Sequence, residues 1–291
     1  MKSKLVLGTA QLGLNYGVNN QFGQPTKEQS FEILHTAYKK GIRAIDTAEA
    51  YGSSQEVIGA FHKEYLKKFD VSTKLIEKEN VTNSNQVEEN IIKNLKTLNV
   101  DILDGYMFHS YSSLKKTPHL LETLISCKNK GLIKKIGVSV YTNEQINDVI
   151  LHFSEIDFVQ APFNLLDNQF CRKNAFEKLR INGIEVHTRS VFLQGLFFKN
   201  KETIQSKLKT LTPYLNRLDE IAKEHGSDIQ TLALQYVLQK KYIDKVLIGI
   251  DTAQQLLENI GCAEKTTRIP HDKIDSIEVL EKELLNPTNW N

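Results

Sequence analysis

Residues 43–59 read RAIDTAEAYGSSQEVIG, and the fold of the chain follows from how that stretch divides. A short apolar run ends at Asp46, small residues carry the chain past Tyr51 to Gly52, and a helical pattern begins near residue 54 and lasts to about 66. The order predicts a buried strand, a turn and a helix. A surface turn requires neither the acid at the strand end nor the tyrosine just beyond it.

The same unit recurs along the chain. KLVLG (4–8) predicts a first strand, with a helix over 27–41 that carries Phe31, Leu34 and Tyr38 on one stripe and closes at Gly41. FDVSTK (69–74) precedes a helix over 84–98, and ILDGYMFH (102–109) one over 118–130. IKKIGVS (133–139) precedes 143–152, and DFVQ (157–160) precedes 172–182. GIEVHTRS (183–190) is the seventh strand, followed by a long insertion and helices over 213–225 and 228–240. KVLIG (245–249) is the eighth, followed by a helix over 253–263 and a C-terminal helix near 272–285. Eight strands, each followed by a helix, predict an α/β fold of the (β/α)8 TIM-barrel type, one domain over residues 1–291. The rival, a doubly wound open sheet, calls for a glycine fingerprint after its first strand; LGTAQLGLNYG lacks that spacing.

Composition narrows the class of function. Hydrophobic residues are 40% and charged residues 25%, ordinary for a globular protein. The 37 basic and 35 acidic side chains leave a net charge of +2 scattered along the chain, which argues against nucleic acid and membrane partners. Lys128, Lys130, Lys134 and Lys135 read as a solvated helix face. Cys127, Cys171 and Cys262 are far apart and odd in number, unlike a zinc or redox pair, and suit a reducing cytoplasm. The apolar run of MKSKLVLG is too short for a signal sequence, and no segment reaches the ~20 apolar residues of a membrane span. No histidine shows metal-ligand spacing, so no metal is expected.

Barrels of this type do their chemistry at the C-terminal ends of the strands. Those ends here are Asp46 with Tyr51, then Lys74, His109, Ser139, Gln160, and Arg189 with Ser190. A phenol at its reference pKa of ~10 is a poor acid at neutral pH, and a nearby ammonium held by a carboxylate favours its ionised form. Tyr51, Lys74 and Asp46 supply those groups, and His109 adds a donor for a substrate oxygen. The set suits protonating an oxygen as negative charge develops on it, as hydride reduction of a carbonyl requires. Taken singly, Asp46 is a turn or helix cap, Tyr51 a rim aromatic, Lys74 a solvated charge and His109 a packed rim histidine; their joint placement carries the functional reading. Tyr106, Met107 and Phe108 read as strand packing.

The pieces LGTAQLG, IDTAEAYG, STK, MFHS, IGVS, VQAPFNLLD, RSVFLQGLF and IGIDTAQQLLENI, in that order, resemble the aldo-keto reductase superfamily over nearly the whole chain. The resemblance implies a barrel that holds NADP(H) or NAD(H) across its C-terminal face, and a small-molecule carbonyl substrate. It implies Asp46, Tyr51, Lys74 and His109 as a catalytic tetrad, with Tyr51 as general acid in reduction and base in oxidation. Gly8 and Thr9 fall in the first matching piece. Ser139, Gln160 and Asn164 match the residues around the nicotinamide carboxamide, although Val140 stands where many members have Asn. Arg189 replaces an aromatic ring that many members stack on the nicotinamide. Ser190 through Gly195 match the pyrophosphate loop, and Gly249, Asp251, Gln255, Glu258 and Asn259 the adenosine segment. Members preferring NADP usually offer a lysine or arginine where Gly249, Asp251 and Gln255 stand, and a carboxylate repels a 2′-phosphate. Lys245 and Lys265 are the lysines expected within reach of such a phosphate, and the helix N-terminus there is itself anion-friendly.

Two other functions fit less well. A redox-sensing barrel with little turnover has no need of a tuned proton donor, and a phosphate-binding lyase or isomerase expects a glycine-rich loop where RSVFLQGLFF is bulky. Substrate contacts are expected from loops 15–25, 110–117 and 194–212 and from the tail with Trp290.

Overall fold

The computed structural model describes residues 4–20, 22–75, 83–266 and 268–290; position 21 of the 15–25 loop lies outside them. Among the described residues eight parallel strands close into a barrel in sequence order, the last pairing with the first. The strands and helices run β1 (Leu5–Gly8), α1 (Ala10–Gly13), α2 (Lys27–Lys39), β2 (Ala44–Asp46), α3 (Ser54–Tyr65), β3 (Asp70–Leu75) and α4 (Ser84–Leu98). They continue through β4 (Gly105–Phe108), α5 (Tyr111–Lys116), α6 (Leu120–Asn129), β5 (Ile136–Ser139), α7 (Asn143–His152), β6 (Phe158–Pro162) and α8 (Gln169–Ile181). β7 (Glu185–Arg189) leads into three short 3-10 turns, and α9 (Thr212–Glu224), α10 (Ile229–Leu238), β8 (Lys245–Gly249), α11 (Ala253–Glu264) and α12 (His271–Asp275) follow. Among the described residues no helix is long and apolar enough to cross a membrane.

The strand periods place the expected elements, and the caps set their ends. Thr26 with Gln29, and Thr142 with Gln145, form reciprocal capping boxes that start α2 and α7. Asn168 caps α8 by accepting from the Phe170 amide, so that helix starts at Gln169 rather than 172. Residues 110–117, read as a loop, contain α5, which Ser110 caps through the Ser113 amide. The long C-terminal helix expected near 272–285 is absent: α12 stops at Asp275. The Asn168 side-chain amide donates to the Ile274 and Ile277 carbonyls at 3.0 and 2.9 Å, capturing groups that a continuing helix would bond. Trp290 packs into this segment and donates to the Leu284 carbonyl at 2.8 Å; it does not line the site.

The N-terminal end of the barrel is closed by charge. Lys245 of β8 donates to Asp104, just before β4, at 2.8 Å, a bridge between opposite sides of the barrel. Lys135 donates to Glu185 at 2.6 Å, and His187, stacked on Phe158 at 4.5 Å, meets the other Glu185 oxygen at 3.1 Å. Lys134 and Lys135 therefore belong to the barrel floor, and Lys128 and Lys130 pair with Asp157 and Glu88. The four lysines are not one solvated helix face.

The His187 hydrogen bond, followed by Lys135, holds the Glu185 carboxyl down to about 2 from 4.5, against its own burial. Burial keeps His187 below its ordinary 6.5, with Glu185 acting in the opposite sense. On acidification the unfolded chain takes up protons first at both groups, so their stabilisation is full above 6.5 and is lost as pH falls. Thermal unfolding followed downward from pH 6.5 should show a falling Tm, and Glu185→Gln should start lower and fall less steeply below 4.5. Parallel curves for the two proteins would contradict this linkage.

Candidate active site

The acid that ends β2 is buried with a cation. Asp46 is 4% exposed and Lys74, on the neighbouring β3, is 2% exposed, so neither charge is left to water. The Lys74 ammonium donates to one Asp46 oxygen and to the Thr47 carbonyl at 2.8 Å. Gln160 donates to the other Asp46 oxygen at 2.9 Å. Burial alone would lower the Lys74 pKa; the Asp46 carboxylate, then Tyr51, outweigh it and hold the ammonium above its ordinary 10.5. Lys74 Nζ lies 4.9 Å from the centre of the Tyr51 ring. The His109 ring meets that ring edge-on, with centroids 6.1 Å apart and an 82° interplanar angle.

The sequence after Asp46 is built to hold Tyr51 by its backbone. The Tyr51 amide donates to the Ala48 carbonyl at 3.0 Å, and the Ser54 amide to the Tyr51 carbonyl at 3.0 Å. Gly52 takes φ +51°, and a side chain there would meet the Gly13 carbonyl oxygen at 2.2 Å. A Cβ at Gly13 would in turn lie 1.8 Å from the Tyr51 carbonyl oxygen. Only two glycines allow α1 and the Tyr51 turn to touch backbone to backbone. Ser54 Oγ donates to the Thr9 carbonyl at 2.9 Å and lies 3.1 Å from Thr47 Oγ1, tying the start of α3 to β1 and β2.

A cavity of about 370 Å³ opens beside this group. Its walls run from Asp46, Tyr51 and Gln160, past Gly8, Thr9 and Gly249, to Asp251, Gln255, Glu258 and Asn259 at the start of α11. A strap crosses it. Gln194 donates to the Tyr16 hydroxyl at 2.8 Å and Lys199 to the Val18 carbonyl at 2.9 Å, joining the loops after β1 and β7. Ser190, Leu193 and Gln194 adopt positive φ in this segment, a strained conformation for non-glycine residues. Burial, then Tyr51, pushes the Tyr16 phenol up, while Arg189 pulls it down, so these groups share one end of the cavity.

The far end has an unmet polar need. Among the described residues Asp251 Oδ1 is buried without a hydrogen-bond partner, and burial raises that carboxyl above its ordinary value against the Gln255 contact. An orphaned buried oxygen at the start of a helix, at the far end of an elongated cavity from a proton donor, fits a dinucleotide whose ribose hydroxyls face α11. Lys245 and Lys265 do not reach it: the first is on the barrel floor, and the second pairs with Asp228 at 3.2 Å.

Of the residues singled out in the sequence, Arg189, Ser190 and Gly195 complete the set that lines this cavity. Lys74, His109, Ser139 and Asn164 are not on its wall. Lys74 lies behind Asp46. Ser139 is buried at the end of β5, level with Gln160. Asn164 organises its own loop, accepting from the Leu166 and Asp167 amides at 2.9 and 3.0 Å and donating to the Ser190 carbonyl at 3.2 Å. Gln11 and Gln230 also line the cavity and are not among the expected site residues; Gln11 lies within the LGTAQLG piece, whereas no local pattern marks Gln230. Of the loops expected to meet substrate, 15–25 supplies Tyr16, Gly17, Asn19 and Asn20, and 194–212 supplies Gln194, Gly195 and Phe198. Residues 110–117 supply none among the described lining residues.

A model of the aldo/keto reductase family matches residues 4–282. Aldo-keto reductase YhdN of Bacillus subtilis is 26% identical over 98% of this chain and 92% of its own length. The NADH-specific methylglyoxal reductase of Escherichia coli is 24% identical over 89% of each chain. In three dimensions an aldo-keto reductase from Bacillus halodurans superposes with a TM-score of 0.77 at 19% identity, covering 95% of this chain and 92% of that one. The match along almost the full length, on a barrel with a buried Asp–Lys pair beneath a tyrosine, settles the affiliation. This chain belongs to the aldo/keto reductase family and is an NAD(P)-dependent oxidoreductase.

Proposed function

We infer that the protein reduces a small aldehyde, ketone or sugar-like carbonyl to an alcohol, or catalyses the reverse, with Tyr51 as proton donor and acceptor. The observation that carries this is the buried Lys74–Asp46 pair set against Tyr51, beside a cavity of about 370 Å³ whose walls run from Asp46 and Tyr51 to the start of α11. The cofactor supplies the hydride when bound. Tyr51 delivers the proton to the carbonyl oxygen as charge develops on it. Lys74 favours the ionised phenol that remains, Asp46 holds Lys74, and His109 orients the substrate oxygen beside the Tyr51 ring. The E. coli relatives named methylglyoxal reductase and L-glyceraldehyde 3-phosphate reductase, both 24% identical, support a small carbonyl as substrate.

In this reading Ser139, Gln160 and Asn164 surround the carboxamide, and Gly8 and Thr9 border the cavity beside it. Ser190 and Gly195 enclose the pyrophosphate, and Gly249, Asp251, Gln255, Glu258 and Asn259 receive the adenosine. The barrel acts as one domain, and three unpaired cysteines support a reducing, cytoplasmic setting. A panel of carbonyls assayed with NADH and NADPH tests the function; no turnover of any aldehyde or ketone with either would reject it.

The Asp251 carboxylate points to the choice between cofactors. It accepts from ribose hydroxyls and repels a 2′-phosphate, and no lysine lines its end of the cavity among the described residues. NADH is expected to bind more tightly than NADPH, in line with the NADH-specific relative. Asp251→Ser should shift the ratio of the two dissociation constants toward NADPH, read by cofactor fluorescence titration. An unchanged ratio would mean that Asp251 does not face the ribose.

A further inference from the structure

Arg189 ends β7, and its side chain turns back across the mouth of the barrel toward β5. Its guanidinium carbon lies 4.2 Å from the centre of the Tyr141 ring, and Nη2 donates to the Val140 carbonyl at 3.3 Å. Val140 follows Ser139, which is level with Gln160 in the paired strands. The guanidinium is thus fixed near Gln160, the hydrogen-bond partner of Asp46, and both Arg189 and Tyr51 act on the Tyr16 phenol at this end of the cavity. Among the described residues it pairs with no carboxylate, and it is the one cationic side chain among the lining residues. The charge of Asp46 is balanced by Lys74, while Asp251 and Glu258 lie at the other end. The cavity is therefore polarised along its length, positive near the proton donor and negative near α11.

On the function inferred above, the carbonyl oxygen sits against the Tyr51 hydroxyl and the carbonyl carbon faces the hydride donor. The nicotinamide ring then lies at the Arg189 end. That ring carries a positive charge when oxidised and none when reduced, because reduction adds a hydride, two electrons with one proton. We propose that Arg189 makes this protein hold the reduced dinucleotide more tightly than the oxidised one, by setting a fixed cation against the nicotinamide. Tyr141 shares part of that charge through its ring face and keeps the guanidinium plane in place without cancelling it.

Two like charges ~4 Å apart at a partly solvated site repel enough to separate the two affinities by about fivefold or more. Each tenfold preference for the reduced form raises the potential of the bound two-electron couple by about 30 mV. The equilibrium on the protein is then drawn from alcohol plus oxidised cofactor toward carbonyl plus reduced cofactor, that is, toward alcohol oxidation.

Dissociation constants for NADH and NAD⁺ test the proposal directly, measured by calorimetry at one salt concentration in the wild type and in Arg189→Gln, Arg189→Tyr and Arg189→Lys. The ratio of the NAD⁺ to the NADH constant should fall at least about fivefold in both neutral variants and stay within about twofold in Arg189→Lys. Arg189 is half-buried at the rim, so a neutral side chain leaves the core untouched, and the tyrosine variant offers a flat ring beside Tyr141 should glutamine disturb the loop. A ratio insensitive to charge at this position, with both dinucleotides still bound, overturns this proposal alone. Failure of the wild type to bind either dinucleotide overturns the inferred function and this proposal with it.

Discussion

Tyr51→Phe should lower carbonyl reduction by ~10² to 10⁴-fold, the loss typical of a missing general acid, with cofactor affinity nearly unchanged. The substitution takes away one hydroxyl and little volume. The turn that holds the residue is bonded through the Ala48 carbonyl, the Ser54 amide and the Gly13–Gly52 contact, none of which involves the ring. The fold and the cavity should therefore persist, and a cofactor titration beside steady-state rates separates chemistry from binding. Turnover within about threefold of the wild type would remove Tyr51 from the proposed role.

Lys74→Met should be as damaging to turnover and, unlike the first variant, costly to the fold. It leaves the Asp46 carboxylate buried, with the Gln160 amide still donating to one of its oxygens. Removing one partner of a buried pair destabilises by roughly 3–5 kcal/mol. The two effects can be parted. Adding Asp46→Asn removes the stranded charge, so the double variant should recover much of the lost Tm while its turnover stays low. Recovery of turnover along with stability would mean that Lys74 merely neutralises Asp46 and does nothing for Tyr51.

The rim of the barrel was legible because each strand there breaks its apolar run with a polar residue at the same relative place. Asp46, Lys74, His109 and Gln160 each stand at such a break. Lys74 alone reads as a solvated charge; as the partner of an acid one strand away it becomes a buried cation. The floor was not legible. Lys245 and Asp104 are 141 residues apart and carry no common period, so Lys134 and Lys135 looked like a helix face. The strap was half visible. Its two loops were expected to meet ligand, but the Gln194–Tyr16 bond spans 178 residues and is a fact of tertiary packing. The C-terminal helix failed for a similar reason, since Asn168 takes carbonyls 106 and 109 residues further along. Local propensity says nothing about a rival donor for its backbone carbonyls.

The pairing of β1 with β8 has a consequence for how the chain comes off the ribosome. Leu5–Gly8 and Lys245–Gly249 are neighbours in space and lie near opposite ends of the polypeptide. A nascent chain that stops short of Lys245 already contains Asp46, Tyr51, Lys74 and His109, yet it presents two unsatisfied strand edges and has no α11 to complete the cavity. Parallel strands so distant in sequence meet only after a large loop-closure cost has been met, which makes closure a late event. Vectorial synthesis thus delivers every proposed proton-transfer group before the barrel can close, and the half-made sheet must be kept from pairing with other chains until β8 emerges.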